Sequence, residues 1–382
     1  MIDFDLTEEQ LQIKEAARDF ADRELAGGAA ERDEKEEFPF EQVKKMGELG
    51  FMGMMVSTEH GGAGLDTVGY VLALEEISRA DASAGVIMSV NNSLVCWGME
   101  KFGSENQKKK YLTPLASGKI LGAFCLSEPE AGSDAANQHT TARREGDFYV
   151  LNGTKNFITN GVNADTLLVM AATDKTKGAH GISTFIVEKK FPGVSISKKE
   201  RKLGIRSSDT AQITFQDCRV PVENRVGEEG FGFRFAMMTL DGGRIGIAAQ
   251  AVGIAMAALD ASVKYVKERK VFDKLLYELQ AIQFKLADMH TNIEAAQLLV
   301  LNAALKKDGG ESFTKEAAMA KLSASKVAVE CALEAIQIHG GYGYIKDFPV
   351  ERYLRDAKIT EIYEGTSEIQ HLVIAREVLD LK

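Results

Sequence analysis

Two periods of apolar residues run along this chain and divide it into three parts. From residue 1 to about 120 the apolar positions recur at helical spacing, as in Leu11, Ala17 and Phe20 and later Val71, Leu74 and Ile77. Thr7, with Gln10 three residues on, predicts a capping box at the start of the first helix. His60-Gly61-Gly62-Ala63-Gly64 breaks the period and reads as a turn between helices. From about 121 to 230 the runs become short and rich in β-formers: Phe148-Tyr149-Val150-Leu151, Leu167-Leu168-Val169-Met170, Thr184-Phe185-Ile186-Val187 and Ala211-Gln212-Ile213-Thr214-Phe215. Asn152-Gly153, Asn160-Gly161 and Pro192-Gly193 punctuate them as turn signals. Short, evenly spaced strands with no helix between them predict a small antiparallel barrel or sandwich.

From about 231 to 382 the helical period returns. Ile282, Leu286, Met289, Ile293, Ala296 and Val300 step by four and three along one face, the pattern of a bundle seam. The expected organisation is an N-terminal helical domain (1–120), a middle β domain (121–230) and a C-terminal helical bundle (231–382). The fold class is mainly α with a central β domain. There is no internal repeat and no low-complexity segment.

Composition narrows the function. A chain of 382 residues is long for one core and implies two or three packed units. A net charge of -10, with Lys108-Lys109-Lys110 as the densest basic cluster, argues against nucleic acid. Cys96, Cys125, Cys218 and Cys331 lie far apart, without metal spacing, and read as reduced thiols; no metal site is expected. The start Met1-Ile2-Asp3-Phe4-Asp5-Leu6 has no signal or transit character. The expectation is a cytoplasmic protein or a mature mitochondrial matrix form. No stretch is expected to have the apolar length of a membrane span, so no membrane insertion is predicted.

The residues that could carry chemistry lie in four loops. Ile362-Tyr363-Glu364-Gly365-Thr366-Ser367-Glu368 sets a carboxylate on a glycine step, open on its C-terminal side, which suits a general base. The same residues also fit a helix start, with Thr366 or Ser367 as cap and Glu368 in the first turn. Phe124-Cys125-Leu126-Ser127-Glu128-Pro129-Glu130-Ala131-Gly132-Ser133-Asp134 is an irregular loop whose hydroxyls and amides can bond a polar ring or a phosphate. Asn156-Phe157-Ile158-Thr159 puts an aromatic and a hydroxyl on one strand face. Gln337-Ile338-His339-Gly340-Gly341-Tyr342-Gly343 allows close backbone approach at a helix end. Taken singly, each of these last three also fits a turn or a C-cap. Fingerprints for dinucleotides, P-loops, zinc hydrolases and nucleophile elbows are absent.

In this order the segments resemble the acyl-CoA dehydrogenase family along the whole chain, most of all its short-chain, butyryl-CoA branch. Val86 to Leu94, Thr239 to Ala248, Phe284 to Met289 and Arg355 to Thr360 carry the resemblance further. It implies the family's three-domain fold, with a helical N-terminal domain, a middle β-barrel or sandwich and a C-terminal four-helix bundle. It implies FAD as cofactor, acyl-CoA as substrate, an electron-transferring flavoprotein as partner, and a homotetramer built as a dimer of dimers.

Residue by residue, Glu364 matches the base that removes the α-proton of the thioester. Its backbone N–H and a ribityl hydroxyl of the flavin are implied to hold the thioester oxygen. Phe124, Leu126, Ser127 and Ser133 match the segment along the flavin, and Ser133 also faces substrate. Phe157, Ile158 and Thr159 match the stacking aromatic and its neighbours beside the ring. Arg269, Gln280, Gln337, Gly340 and Gly341 match contacts to the pyrophosphate and adenosine side, some reaching a neighbouring subunit's cofactor. Thr366 and Glu368 match a further FAD contact. Asp241, Gly243, Arg244, Tyr363 and Gly365 match substrate contacts.

The chain departs from the pattern at three positions: Phe157 stands where Trp is common, Asp273 where Gly is frequent and Asn137 where a small residue is usual. The residue at 243 is glycine, so the alternative base position of some branches is empty. The resemblance implies that glutaryl-CoA dehydrogenases need a cation for the distal carboxylate in the segment matched by residues 82 to 99; that segment holds no Lys, Arg or His, so a decarboxylating role is not expected. The readings left open are the reverse enoyl-CoA reduction, a branched short-chain substrate, and a flavin-free acyl-CoA-binding scaffold.

Overall fold

A computed structural model describes residues 4–381. The acidic start Met1-Ile2-Asp3 lies outside the described residues. The N-terminal part is helical: α1 (Glu8–Phe20), α2 (Ala29–Lys35), α3 (Phe40–Glu48), α4 (Thr67–Ala80), α5 (Ala82–Ser89), α6 (Trp97–Phe102), α7 (Glu105–Gln107) and α8 (Thr113–Ala116). The first helix opens on the expected capping box: Thr7 Oγ1 accepts from the Gln10 N–H, and the Gln10 side chain accepts from the Thr7 N–H. Buried Asn91 and Asn92, between α5 and α6, hold neighbouring loops by donating to the Met52, Leu115 and Phe51 carbonyls.

The middle part carries β1 (Gly122–Cys125), β2 (Thr141–Glu145), β3 (Phe148–Thr159), β4 (Thr166–Ala172), β5 (Ile182–Glu188), β6 (Val194–Lys199), β7 (Thr210–Pro221) and β8 (Arg225–Val226). They form one eight-stranded sheet in the order β6-β7-β3-β2-β4-β5-β8, with β1 added on β4. The four predicted runs all fall within strands. Two expectations need correction. The sheet is mixed, because β1 runs parallel to β4 and β2 meets β4 in a parallel bridge. Asn152-Gly153 is no turn: it lies inside β3, at a register shift against β7. The reason is tertiary. Gly153 has φ +149, and a Cβ there would stand 2.4 Å from Thr140 Oγ1, so the glycine serves a bulge with a close neighbour.

The C-terminal part holds α9 (Gly232–Glu268), the hairpin β9 (Lys270–Val271) and β10 (Lys274–Leu275), then α10 (Gln280–Asp308), α11 (Thr314–His339), α12 (Val350–Thr360) and α13 (Ser367–Val378). Met289, Ile293, Ala296 and Val300 of the predicted seam are buried, with Ile282 and Leu286 packed at its edge. Another expectation fails here. The helix α9 contains an 18-residue window of mean hydropathy 1.5, enough by length and composition for a membrane span. Of that window 78% is buried inside the protein, since α9 is the central rod of the bundle and is apolar nearly all round.

One hydrophobic cluster joins both helical parts to the outer face of the sheet, including Phe124, Leu126, Leu168 and Met170. A second fills the sheet's inner face around Tyr149, Leu151, Phe185 and Ile213. The three parts meet at α12. Arg355 pairs with Asp33 at 2.7 Å and donates to the Leu203 carbonyl, while Asp356 accepts from the Ile205 N–H. That helix runs directly into the Glu364 loop.

Candidate active site

After α12 the chain turns sharply. Glu364 has φ +53 and Gly365 φ +93, two successive left-handed residues. For a non-glycine residue that conformation costs about 1–2 kcal/mol, so the surroundings must hold it. Three contacts do so. Gln370 Nε2 donates to the Gly365 carbonyl at 2.8 Å, Lys321 Nζ donates to the same oxygen at 2.6 Å, and the Ser367 N–H returns to the Glu361 carbonyl at 3.0 Å. Thr366 caps α13, its Oγ1 accepting from the Ile369 N–H, and Glu368 lies in the first turn. The helix start expected at this stretch is therefore present, with Thr366 as its cap.

The carboxylate itself is not open, contrary to the expectation drawn from Gly365. Both Glu364 carboxylate oxygens are shielded from water and have no hydrogen-bond partner among the described residues. Gly365 frees one side, but Gly243 and Leu94 close over the other. A methyl group at Gly243 would stand 2.2 Å from Oε2 and 2.7 Å from Leu94 Cδ2. Burial pushes the Glu364 carboxyl up to about 7, while Lys321 and then Arg244 pull it down. The Glu364 N–H has no intramolecular acceptor among the described residues.

Along α9 the wall beyond Gly243 is polar. A Cβ at Gly246 would meet Ser89 Oγ at 2.6 Å and the Tyr70 hydroxyl at 2.8 Å. Tyr70 bonds Ser93 at 2.7 Å and Ser89 at 3.2 Å, and the Tyr363 hydroxyl donates to Gln250 Oε1. On the other flank buried Arg244 pairs with Asp241, whose second oxygen accepts from Thr314 Oγ1 at 2.8 Å. The Arg244 Nε has no partner. Asp241, Gly243, Arg244, Tyr363 and Gly365 are thus gathered around Glu364.

A second group joins the 124–133 loop to β3. The Asn156 N–H donates to the Ser127 carbonyl at 2.8 Å. Below it, fully buried Lys155 pairs with Glu128 at 2.7 Å and donates to the Leu126 carbonyl, and Glu128 accepts from the His139 and Thr140 amides. Gly132 and Ser133 face outward. Phe124, Leu126 and Ile158 have buried side chains. Phe157 and Thr159 do not sit on a plain strand. A bulge between Lys155 and Ile158 gives Phe157 φ +57 and aims its ring outward, 66% exposed.

A third group lies elsewhere. Arg269, Gly340 and Gly341 line a cavity of about 470 Å³ with Tyr265, His339 and Tyr342, and the Arg269 guanidinium lies over the Tyr342 ring. Gln337 and Gln280 are exposed and do not line it. None of the residues around Glu364 lines this cavity either. The cradle suits a nucleotide: Gly340 has φ +59, and nothing stands within 4 Å of a Cβ at Gly340 or Gly341.

Sequence reasoning missed Lys321, Lys155, Tyr70 and Gln250, all buried. For Lys321 a signal existed. It occupies a face of α11 otherwise made of Ala317, Ala320, Ala324 and Ala328, where a solvated lysine has no place.

Comparisons with known proteins agree along the chain. Residues 7–119, 123–218 and 230–379 match the family models described as acyl-CoA dehydrogenase N-terminal, middle and C-terminal domains. The short-chain specific acyl-CoA dehydrogenase of Clostridium acetobutylicum is 53% identical over 377 residues, covering 99% of this chain and 100% of that one. The butyryl-CoA dehydrogenase of Megasphaera elsdenii superposes with a TM-score of 0.97 at 49% identity, covering 99% of this chain and 100% of that one. A chain in the structure of the electron transferring flavoprotein of Acidaminococcus fermentans superposes with a TM-score of 0.98 at 52% identity, with the same coverage.

Proposed function

The chain belongs to the acyl-CoA dehydrogenase family, and on that premise we propose that Glu364 is the base in the α,β-dehydrogenation of short-chain acyl-CoA thioesters to trans-2-enoyl-CoA. Members are FAD-dependent flavoprotein oxidoreductases acting on acyl-CoA, and so is this chain. The observation that carries the assignment is the carboxylate itself: buried, without a hydrogen-bond partner, and pushed up to about 7. A general base works best with its pKa near the operating pH and its lone pairs unoccupied.

The residues present fit FAD. Phe157 offers an exposed ring, Ser127, Ser133 and Thr159 offer hydroxyls from the same loop and strand, and the Arg269 cavity offers a cation with open glycine backbone. Bound there, FAD supplies the acceptor for the β-hydride. The protein's own part is to position and to move a proton. Glu364 takes it from Cα. The Glu364 N–H, free of intramolecular acceptors, donates to the thioester oxygen and stabilises the enolate-like charge that develops there. Arg244, fixed by Asp241, is the residue assigned to the CoA portion.

The wall along α9 supports a short substrate. A tail running from Gly243 toward Gln250 meets the hydroxyls of Tyr70, Ser89 and Ser93 and the Tyr363–Gln250 pair within two turns. Polar atoms there favour about four carbons, in a graded way, since one methylene is worth about 1–3 kcal/mol. The resemblance to a chain found with an electron transferring flavoprotein supports such a protein as electron acceptor. The separation of the Arg269 cavity from Glu364, with Phe272 and Tyr344 projecting 90% and 87% exposed, supports assembly with further copies, as a homotetramer.

The test is Glu364→Gln, assayed with a panel of acyl-CoA lengths. FAD is expected to stay bound while flavin reduction by butyryl-CoA is lost. Substantial residual turnover points to another base, and a higher kcat/KM on twelve-carbon than on four-carbon substrate removes the short-chain assignment.

A further inference from the structure

Lys321 is wholly inside the protein, yet no carboxylate lies within ion-pair distance of its ammonium among the described residues. A buried ammonium is normally paired, because desolvation disfavours the charge. Here the Nζ instead donates to a peptide oxygen, the Gly365 carbonyl, at 2.6 Å. The carboxylate one residue earlier, Glu364, is left without any hydrogen bond. The same carbonyl takes a second donor, Gln370 Nε2, at 2.8 Å, and a Cβ at Gly365 would stand 2.5 Å from that amide. Two buried donors from two helices therefore converge on the carbonyl of the residue after Glu364.

We propose that Lys321 is a positioning residue for the Glu364 loop: it fixes the left-handed Glu364–Gly365 step through the Gly365 carbonyl and keeps the neighbouring carboxylate ionised without bonding to it. This rests on the reading of Glu364 as the base. A direct Lys–Glu hydrogen bond would occupy the lone pair that must accept the α-proton and would make the carboxylate a weaker base. An ammonium bound to the adjacent peptide acts on the carboxylate through space and leaves the lone pair free.

The charged and titratable groups around Glu364 are few. Lys321 on α11 and Arg244 on α9 favour its ionised form, in that order, and Tyr363 beside it and Tyr70 on α4 sense its charge. Arg244 is already committed to Asp241. Burial pushes Lys321 down to about 8; Glu364 favours its charged form, Arg244 opposes it, and Glu361 and Glu368, from the same loop and the following helix, add to the effect of Glu364.

The experiment is rapid-mixing flavin reduction by butyryl-CoA across pH, with FAD-loaded protein. Lys321→Met and Lys321→Gln are expected to move the acid limb of the rate to higher pH by about one unit, a roughly tenfold slower reduction on that limb. Gln370→Met, which removes the other donor but no charge, is expected to lower the plateau and leave the limb in place. Unmoved limbs in both lysine variants overturn the proposal. So does a Gln370→Met limb shifted as far as theirs, because loop geometry alone would then account for the effect. If Lys321→Met loses FAD, Lys321→Gln, which keeps a donor for the carbonyl, gives the reading. Glu364→Gln separates the two levels. Wild-type reduction in that variant removes the base and this role together. An inert Glu364→Gln beside unmoved lysine limbs removes only the role of Lys321.

Discussion

Gly243 on α9 and Glu364 on the loop after α12 are packed so closely that the Glu364 Oε2 occupies the place of a side chain at 243. A Cβ at Gly243 would stand 2.2 Å from that oxygen. The glycine therefore does two things. It admits the carboxylate, and it leaves α9 without a side chain of its own at that point.

Gly243→Ala is expected to keep FAD and fold but to slow flavin reduction by butyryl-CoA by a factor of about a hundred, the order expected when a reacting group is misplaced by about an ångström. The flavin spectrum checks cofactor retention and rapid mixing checks the rate. A near-normal rate would mean that the carboxylate can swing aside without losing its aim.

Glu364 also links pH to stability. Unfolded, its carboxyl titrates at the ordinary value of 4.5; folded, it is pushed up to about 7. Above 7 it is ionised in both states, and the folded state carries the penalty of a buried charge. As the pH falls from 7 toward 4.5 the folded state takes up a proton that the unfolded state does not, so stability rises. Glu364→Gln lacks this term. It is expected to be more stable than the parent above neutral pH by on the order of 1–3 kcal/mol, with the gap closing toward pH 4.5. Denaturant titrations of both proteins at an alkaline and an acid pH measure it, and a gap that widens in acid would contradict it.

Asp273 bears on the cofactor site proposed at Arg269. Phe272 and Asp273 have φ +51 and +62 and form the tip of the β9–β10 hairpin beside Arg269. A two-residue turn of this hand favours glycine at its second position, which gives a backbone reason for the glycine frequent there. Asp273→Gly is expected to raise stability by about 0.5–1 kcal/mol and to slow FAD loss on dilution, because it also removes a negative charge near Arg269. Thermal melts and flavin fluorescence follow the two effects, and faster flavin loss would show that the aspartate helps hold the cofactor.

What could be read from the residues was mostly local. The Thr7–Gln10 box, the seam through Met289, Ile293, Ala296 and Val300, and the strands at 148, 167, 184 and 211 depend on neighbours in the chain, and they are where expected. What stayed hidden depends on contacts distant in sequence. Asn152-Gly153 carries a turn signal, yet Thr140 and β7 hold it inside a strand. Glu364 looks open because Gly365 follows it, and only the fold brings Gly243 and Leu94 over it. Lys321 and Lys155 look like surface charges until the carbonyls and carboxylate that receive them arrive from other elements.

The meeting of three domains at α12 has an evolutionary corollary. Arg355 and Asp356 anchor the helix that delivers Glu364 to Asp33 of the first part and to Leu203 and Ile205 of the second. The aim of the Glu364 carboxylate is thus a property of the whole chain. Recombination that swaps any one part for a relative's has to preserve that junction, or it inherits a fold with a misdirected carboxylate. Lineages of this architecture are expected to diverge by point substitution within an unbroken three-part chain, and chimaeras cut at the domain borders to recover flavin binding more readily than turnover.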